Sequence, residues 1–483
     1  MDHILFWNEV ALEANRQDFT VILAGQTKPM PEQGGPTLSS RALAIVHLAM
    51  YDAQAGVVNN SSMPRYLAAP PNPAANASAA AAVAHAAHRC LIALFPRQIP
   101  FFDAKLLEAN VAAGAGIAAG RNFGIAVAAA ILADRAADPV VVNGIGYVAS
   151  TSPCGHRADP SDSGQGYHAP FYGANSKGFA ISARHELDPP PAHGSPEYTR
   201  AVKQVRGKGV APELMGTVPD SYPKRSSDET LIGVYWAYDG PRELGTPPRL
   251  YNQITREVAI QRGNDVNANA RLFALVNAAM GDAGILAWDQ KYVYELWRPV
   301  LGVREHDFSM GPAAASPDNN INNDCDPFWL PLGAPASNST NPNTTPPFPA
   351  YPSGHATFGA AALHMIRLFY GIAIGNREED RSIFNGPFVS EELNGVNRDN
   401  KGVIRTRHVR NFPRGLWQMI EENGFSRVYL GVHWFFDAFA LDEDGKPDLT
   451  KNIGGVPLGL KIAEDIYAEG GGKAPKKSNV LPR

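Results

Sequence analysis

The chain has 483 residues and a mass of 51.9 kDa, room for two or three domains of roughly 100–200 residues or one large composite domain. Hydrophobic residues make up 44% and charged residues 19%, ordinary globular usage that excludes a disordered, collagenous or purely heptad-built chain. A net charge of −4 excludes a global field that would draw the protein to nucleic acid or anionic lipid, so any anion site must be built locally.

In chain order, the N-terminal residues carry two acids, Asp2 and Glu9, and no basic segment followed by an apolar one, so no Sec-type signal is visible. The first 140 residues read as helices, because apolar residues recur every three or four positions and alanine is abundant. Thr37 or Ser39 is expected to cap a helix bearing Leu38, Ala42, Ile45, Val46 and Ala49, with Pro36 on the loop before it. Ala-rich segments 76–94 and 115–136 read as packed helices. The longest unbroken apolar stretch, near residues 124–133, is about half the ~20 residues needed to cross a bilayer. From about 141 to 226 the composition turns to Gly, Pro, Ser and Asp, a long connector. Helical patterns resume at 227–238, 250–262, 267–300, 355–370, 413–440 and 458–468. Between Val303 and Tyr351 lies a Pro- and Asn-rich loop long enough to carry function. The expected division is 1–219, a helical bundle with its connector, and 220–483, a second bundle carrying the site. Three cysteines (Cys90, Cys154, Cys325) form neither a disulfide framework nor a Cys-x-x-Cys metal site.

Three separated clusters share one chemical character. Lys291 and Arg298 are seven apart on a predicted helix, so both can reach one anion from a single face. A Lys and Arg at this spacing also occur on solvated faces. The run Tyr351-Pro352-Ser353-Gly354-His355 opens an apolar helix: Ser353 offers a hydroxyl, Gly354 lets backbone N–H groups face an anion at the helix N-terminus, and His355 would stand beside it as acid or base. The alternative is a Ser cap with a passive His. Arg427 and His433 are six apart, near enough to one helical face to converge if the first turn is irregular, and Asp437 four residues on can orient the His433 imidazole. A structural salt bridge is the competing account. The run Arg405, Arg407, His408, Arg410 and Arg414 reads as a solvated basic surface.

Taken jointly, Lys-x6-Arg-Pro, Pro-Ser-Gly-His and Ser-Arg-x5-His in this order resemble the signature shared by vanadium-dependent haloperoxidases, class A acid phosphatases and lipid phosphate phosphatases. Ile4-Leu5-Phe6-Trp7-Asn8, Gly35-Pro36-Thr37-Leu38-Ser39, Trp236-Ala237-Tyr238-Asp239-Gly240, Gly245-Thr246-Pro247-Pro248, the run 346–351 and Tyr429-Leu430-Gly431-Val432-His433-Trp434 resemble the chloroperoxidase branch. The resemblance implies a mainly α fold of two four-helix bundles joined by long Pro/Gly/Asn-rich loops. It also implies a vanadate cofactor, with His433 as the single protein ligand to vanadium. Lys291, Arg298 and Arg427 would neutralise the oxyanion, the Ser353 hydroxyl and Gly354 N–H would donate to it, and Asp239 would pair with Arg427.

On this reading the protein is a soluble vanadate-dependent haloperoxidase that oxidises chloride, and also bromide and iodide, with hydrogen peroxide. His355 would take the peroxide proton and Lys291 would polarise the bound peroxide. Trp288 and Phe348 match positions that are aromatic in the chloroperoxidase branch and would line the halide pocket; core packing is the other account of both rings. The expected partners are peroxide, halide and small organic acceptors, with no nucleic acid and no membrane, and the oligomeric state stays open. The compartment is the cytoplasm or, by a route independent of a Sec signal, the exterior. The alternatives are a bromoperoxidase lacking chloride activity and a soluble acid phosphatase with His433 as nucleophile.

Overall fold

In the computed structural model, residues 1–20, 30–111, 113–312 and 321–483 are described; residues 313–320 of the expected functional loop lie outside them. The fold is mainly α. The described helices of the first part are α1 (His3–Asp18), α2 (Gly35–Val58), α3 (Ala79–Leu94), α4 (Ile99–Glu108), α5 (Ile117–Asp134), α6 (Tyr172–Asn175) and α7 (Pro196–Lys208). They are followed by α8 (Ser227–Tyr235), α9 (Pro247–Gln261), α10 (Val266–Tyr294), α11 (Pro299–Arg304), α12 (Gly354–Phe369), α13 (Gly415–Tyr429) and α14 (Gly455–Glu469). Among the described residues, strands are confined to two-residue antiparallel pairs.

Local chemistry sets the helix ends. Asp265 caps α10 by accepting from the Ala268 N–H at 2.7 Å, and Ser226 with Glu229 forms a reciprocal capping box on α8. α2 starts earlier than expected: Gly34 is its cap, without a side-chain bond, and Pro36 lies inside the first turn, where its missing N–H costs nothing. Thr37 and Ser39 cap nothing there. Ser39 donates to the Gln33 carbonyl and Thr37 meets His168. The expected connector is also more ordered than its composition suggested, because α7 forms within it under a Ser195 cap followed by Pro196.

α10 is the spine of the molecule. It packs on α2 and α6 on one side and on α12 and α14 on another, and α12 lies in turn against α13 and α14. Of its 29 residues, all from Ala270 to Trp288 apart from Arg271 are buried, including the apolar side chains of Phe273, Leu275, Val276, Met280, Ile285 and Leu286. Among the described residues, two helices, α5 and α10, are long and apolar enough to cross a membrane by length and composition alone. The expectation of no such segment rested on unbroken apolar runs, whereas both helices reach their mean hydropathy across stretches that polar residues interrupt, such as Arg121-Asn122 in α5 and Asn277 and Asp282 in α10. For α10 the apolarity is accounted for by packing, with 94% of its most apolar window buried inside the protein; for α5 the share is 33%.

Candidate active site

Two of the expected helical arguments fail locally, and both failures build the site. Lys291 and Arg298 do not share a helix face. α10 ends at Tyr294 with Glu295 in the left-handed region (φ 46°), and Arg298 is the N-cap residue of the next helix, α11. A turn rather than a two-turn rise therefore brings the two cations together. Arg427 lies in the last turn of α13, and His433 lies beyond the helix, after a bend at Gly431 (φ 74°), where a side chain would run into the Gly209 backbone.

Hydrogen bonds tie these ends to one another. Lys291 Nζ donates to the carbonyls of Pro349 (2.8 Å) and Ala350 (3.0 Å), just ahead of α12. Arg298 donates through Nε to the Phe348 carbonyl (2.8 Å) and through Nη1 to the Val432 carbonyl (2.7 Å). The Ser353 N–H donates to the Asp437 carbonyl at 2.7 Å. The C-terminal end of α10, the N-terminal ends of α11 and α12 and the chain after α13 thus meet at one point. Lys291, Arg298, Ser353, Arg427 and His433 are all at most 2% exposed, and His355 is 8% exposed.

The protonation pattern follows from these contacts. A guanidinium has only donors, so the 2.8 Å contact between Arg298 Nη1 and His433 Nε2 makes Nε2 the bare nitrogen. The Nδ1–H of His433 then donates to Asp437 Oδ2 at 2.7 Å. Burial holds His433 well below its ordinary pKa, with Arg298, Lys291, Arg427 and His355 adding to the effect. Burial likewise pushes the Asp437 carboxyl up to about 7 against the pull of Lys291 and Arg298. His355 is a neutral ring of the opposite tautomer: Nε2 lies 2.5 Å from the Ala237 carbonyl, so it carries the hydrogen, and Nδ1 is bare. Burial first and Arg427 second pull its pKa to about 3, although Asp239 opposes them.

The cations are in excess of their counter-charges. Arg427 is paired with Asp239 through two bonds of 2.8 and 2.7 Å. Among the described residues, neither Lys291 nor Arg298 has a carboxylate within salt-bridge distance. Burial, with Arg298 and Arg427 nearby, holds Lys291 well below its usual pKa; burial, against the pull of Asp437 and with Arg427 adding to it, brings Arg298 down to about 9. Two buried guanidinium nitrogens, Arg298 Nη2 and Arg427 Nε, have no hydrogen-bond partner among the described residues. Such donors are costly to bury unpaired. The Ser353 hydroxyl accepts from the Ala356 N–H at 3.4 Å and keeps its own hydrogen free. The Gly354 N–H belongs to the first turn of a 16-residue helix, where donors lack intrahelical acceptors and the dipole favours negative charge. The donor set suits a tetrahedral or trigonal-bipyramidal oxyanion, and His433 Nε2 is a bare nitrogen beside these donors once Arg298 Nη1 yields.

Next to the cations, the Trp288 and Phe348 rings lie 4.8 Å apart and tilted by 51°. Lys291 Nζ is 5.7 Å from the first ring and 5.1 Å from the second, and the Arg298 guanidinium is 4.8 Å from Phe348. Gly354 admits the indole: a methyl group there would press within 3.2 Å of it.

Several residues of this region carried no signal in the sequence. His156 is buried with neither ring nitrogen partnered, and burial together with Arg298, Lys291 and Arg157 holds it well below the ordinary imidazole pKa. It is brought there by an antiparallel bridge between Gly155 and Leu296 and by its own N–H, which donates to Glu295. His168 meets the rings of Trp288 and Phe348. Tyr251 and Asn423 both donate to the His355 carbonyl, which fixes the start of α12. Contacts between residues far apart in the sequence place all of these, and no short motif marks them. The basic run at 405–414 is a solvated surface only in part: Arg407 is exposed, whereas Arg405 reaches the buried Glu392 at 2.7 Å, Arg410 pairs with Glu422 and Asp228, and Arg414 pairs with Glu421.

Comparison with known proteins agrees with this geometry. Residues 1–163 match the vanadium chloroperoxidase N-terminal domain and residues 271–447 match the second helical-bundle domain of the same enzymes. The whole chain aligns with 92% of the vanadium chloroperoxidase of Curvularia inaequalis at 34% identity. Among solved structures, a bacterial vanadium-dependent iodoperoxidase superposes with a TM-score of 0.63 at 17% identity, covering 98% of this chain and 97% of its own. An apo-type bacterial vanadium-dependent chloroperoxidase superposes at 0.56 and 14% identity, covering 91% and 95%; these two likenesses speak to the fold. On the full-length identity and the two matched domains, the chain belongs to the vanadium haloperoxidase family.

Proposed function

We propose that this vanadate-dependent haloperoxidase oxidises chloride, and with it bromide and iodide, in the reaction H2O2 + X⁻ + H⁺ → HOX + H2O. The hypohalous acid then reacts with small organic acceptors. The observation that carries the assignment of residues is the pair of buried, unpartnered guanidinium nitrogens, Arg298 Nη2 and Arg427 Nε, beside the bare Nε2 of His433. When bound, vanadate supplies a Lewis acid that activates hydrogen peroxide toward attack by halide without changing oxidation state.

The chain's own groups do the rest. Lys291, Arg298 and Arg427 balance the oxyanion's charge, Ser353 and Gly354 donate to its oxygens, and His433 holds its metal atom. Asp437 keeps the Nδ1–H of His433 in place, so the ligating nitrogen stays bare. His355 is neutral and its Nδ1 is free to take the peroxide proton, while the Ala237 carbonyl fixes the ring. Lys291 stabilises charge that develops on peroxide oxygen, from a pocket where low dielectric strengthens the effect. Trp288 and Phe348 strip water from the halide beside that cation, which supports the oxidation of chloride, the hardest of the three to oxidise. In domain terms, residues 1–219 supply a helical bundle and the connector, and residues 220–483 the bundle bearing the vanadate set.

The test is metal analysis of the purified protein after vanadate reconstitution, paired with peroxide-dependent halogenation of a dione reporter at mildly acidic pH with each halide. One vanadium per chain and turnover with all three halides is expected. Turnover of bromide without chloride would make the protein a bromoperoxidase.

A further inference from the structure

His168, contributed by the connector, is held against the aromatic pair more firmly than packing alone requires. Its ring lies edge-on to Trp288 (5.9 Å, 86°) and tilted on Phe348 (6.1 Å, 58°). Its N–H donates to the Pro347 carbonyl at 2.8 Å, one residue before Phe348. Its own carbonyl accepts from Trp288 Nε1 (3.3 Å) and from the Tyr292 hydroxyl (2.7 Å), one residue after Lys291. Backbone and side chain are thus keyed to both walls of the halide pocket at once. Gly35 makes room for the ring, since any side chain at that position would overlap it.

The ring also has a defined polarity. Nε2 lies 3.1 Å from the hydroxyl of Thr37. Thr37 is the third residue of α2, so no carbonyl of that helix lies four residues before it for its hydroxyl to use. When that hydroxyl donates to His168 Nε2, the hydrogen of the neutral imidazole sits on Nδ1. Nδ1 has no hydrogen-bond partner among the described residues, and the side chain is half-buried rather than sealed in the core. Packing around the ring pulls its pKa to about 4, which keeps it neutral.

We propose that His168 is a specificity-determining residue of the halide pocket: its Nδ1–H donates to the bound halide, and Thr37 sets the tautomer that makes this possible. Halides accept hydrogen bonds and donate none. Trp288 and Phe348 offer ring surface, and the Trp288 N–H is already spent on the His168 carbonyl. A single N–H in this wall repays the most strongly hydrated halide more than the least hydrated one. The inference rests on the proposed location of the halide pocket at Trp288 and Phe348.

Three variants of the vanadate-reconstituted enzyme test it. His168→Phe keeps a ring and removes the donor. Its halide KM should rise by roughly tenfold or more for chloride, the scale of a lost hydrogen bond to a charged group. The rise should be smaller for bromide and smallest for iodide, with kcat at saturating halide and vanadate affinity little changed. His168→Asn, which places an amide N–H near the position of Nδ1, should restore most of the discrimination. Thr37→Val, which leaves the ring and frees the tautomer, should move the KM ratios in the same direction as His168→Phe, and it keeps the test open if His168→Phe folds poorly. A readout without turnover is the anomalous signal of bromide in crystals of the vanadate-free protein, expected against Trp288, Phe348 and His168 together. Equal KM changes for all halides in His168→Phe and Thr37→Val overturn the role of His168. A bromide peak away from Trp288 and Phe348 overturns the pocket location itself. An enzyme that oxidises bromide but not chloride overturns only the chloride reading, because the bromide-to-iodide KM ratio still judges His168.

Discussion

Asp239 grips Arg427 with both carboxylate oxygens, Nη1 to Oδ2 at 2.8 Å and Nη2 to Oδ1 at 2.7 Å. The same carboxylate stands 3.8 Å from His355 Nε2. One acid therefore fixes the cation proposed to bind the anion and faces the proposed base, and it leaves Arg427 Nε as the guanidinium atom without a partner among the described residues. The ion pair is nearly sealed from water, with Arg427 at 1% and Asp239 at 11% side-chain exposure.

Asp239→Asn should lower the stability of the vanadate-free protein by the order of 3 kcal/mol, because the arginine stays buried with its charge uncompensated. Saturating vanadate should recover part of that loss, since a bound anion supplies the missing charge and binding to the folded state stabilises it. Thermal denaturation with and without vanadate measures both. A larger vanadate-induced rise in Tm for the variant than for the wild type is expected; equal rises would mean that Arg427 does not contact the oxyanion.

His433→Ala should abolish vanadium retention and peroxide-dependent activity together, since His433 is the one proposed protein ligand to the metal. Asp437→Asn is the subtler change. The amide oxygen can still accept from Nδ1–H, but the carboxylate charge that Asp437 carries above about pH 7 is gone, so in mildly alkaline buffer vanadate affinity should drop by roughly 10- to 100-fold. Equilibrium dialysis followed by metal analysis separates the two: no retained vanadium in the first variant, weakened but saturable binding in the second.

His355→Ala should retain vanadate, because the three cations, Ser353 and Gly354 remain, while turnover falls by about 10²–10⁴-fold, the scale of a positioned acid–base group. Loss of binding and turnover in parallel would assign His355 to holding the cofactor instead of moving the proton.

What could be read from the sequence was the set of residues and not the way they are brought together. The motif at 351–357 was legible because a Pro-Ser-Gly start and an apolar run state a helix N-terminus in local terms, and α12 begins there. The break after Lys291 was not. Glu295 adopts a left-handed conformation without being glycine, so nothing at that position announces the end of α10; Pro299, four residues on, can be accommodated by a helix start as well as by a stop. His156 and His168 were invisible for a different reason: they sit in a Gly/Pro-rich connector and gain meaning only from pairing with 295–297 and 347–348. The fold class was legible through alanine content and helical periodicity, which are local properties, whereas α7 inside the connector depended on one Ser-Pro start amid loop-like neighbours.

Buried neutral histidines make the protein acid-sensitive. His47, stacked on Phe273 and bonded through Nδ1 to the Leu43 carbonyl at 2.7 Å, is pulled by burial to about 4 from 6.5. The unfolded chain then binds the proton more readily than the folded one, so this contribution is fully present above pH 6.5 and is lost as pH falls from 6.5 toward 4. At most it amounts to about 3 kcal/mol. Raised carboxyls, among them Glu392 at about 7, act in the opposite sense over an overlapping range, so the comparison must be made site by site. In His47→Gln, the fall in Tm between pH 6.5 and pH 4 should be shallower than in the wild type. Parallel Tm curves would show that His47 does not titrate on unfolding.

Phe348 is where halide preference should be most readily changed. Its ring faces Lys291 and Arg298 at 5.1 and 4.8 Å and Trp288 at 4.8 Å, while its backbone carbonyl, which any residue retains, holds Arg298 Nε. Phe348→His therefore leaves the arginine's anchor in place and replaces an apolar face by a polar one. Water and an additional hydrogen-bonding group then raise the local dielectric beside Lys291, which weakens its pull on the peroxide oxygen. Chloride, the hardest halide to oxidise, depends most on that pull. Chloride turnover should fall by a larger factor than bromide turnover, and iodide should change least, with vanadate retained. Initial rates of dione halogenation at fixed peroxide and mildly acidic pH measure the three factors directly. An equal loss for all halides would assign Phe348 to packing around Lys291 and Arg298 and place halide selection elsewhere in the pocket.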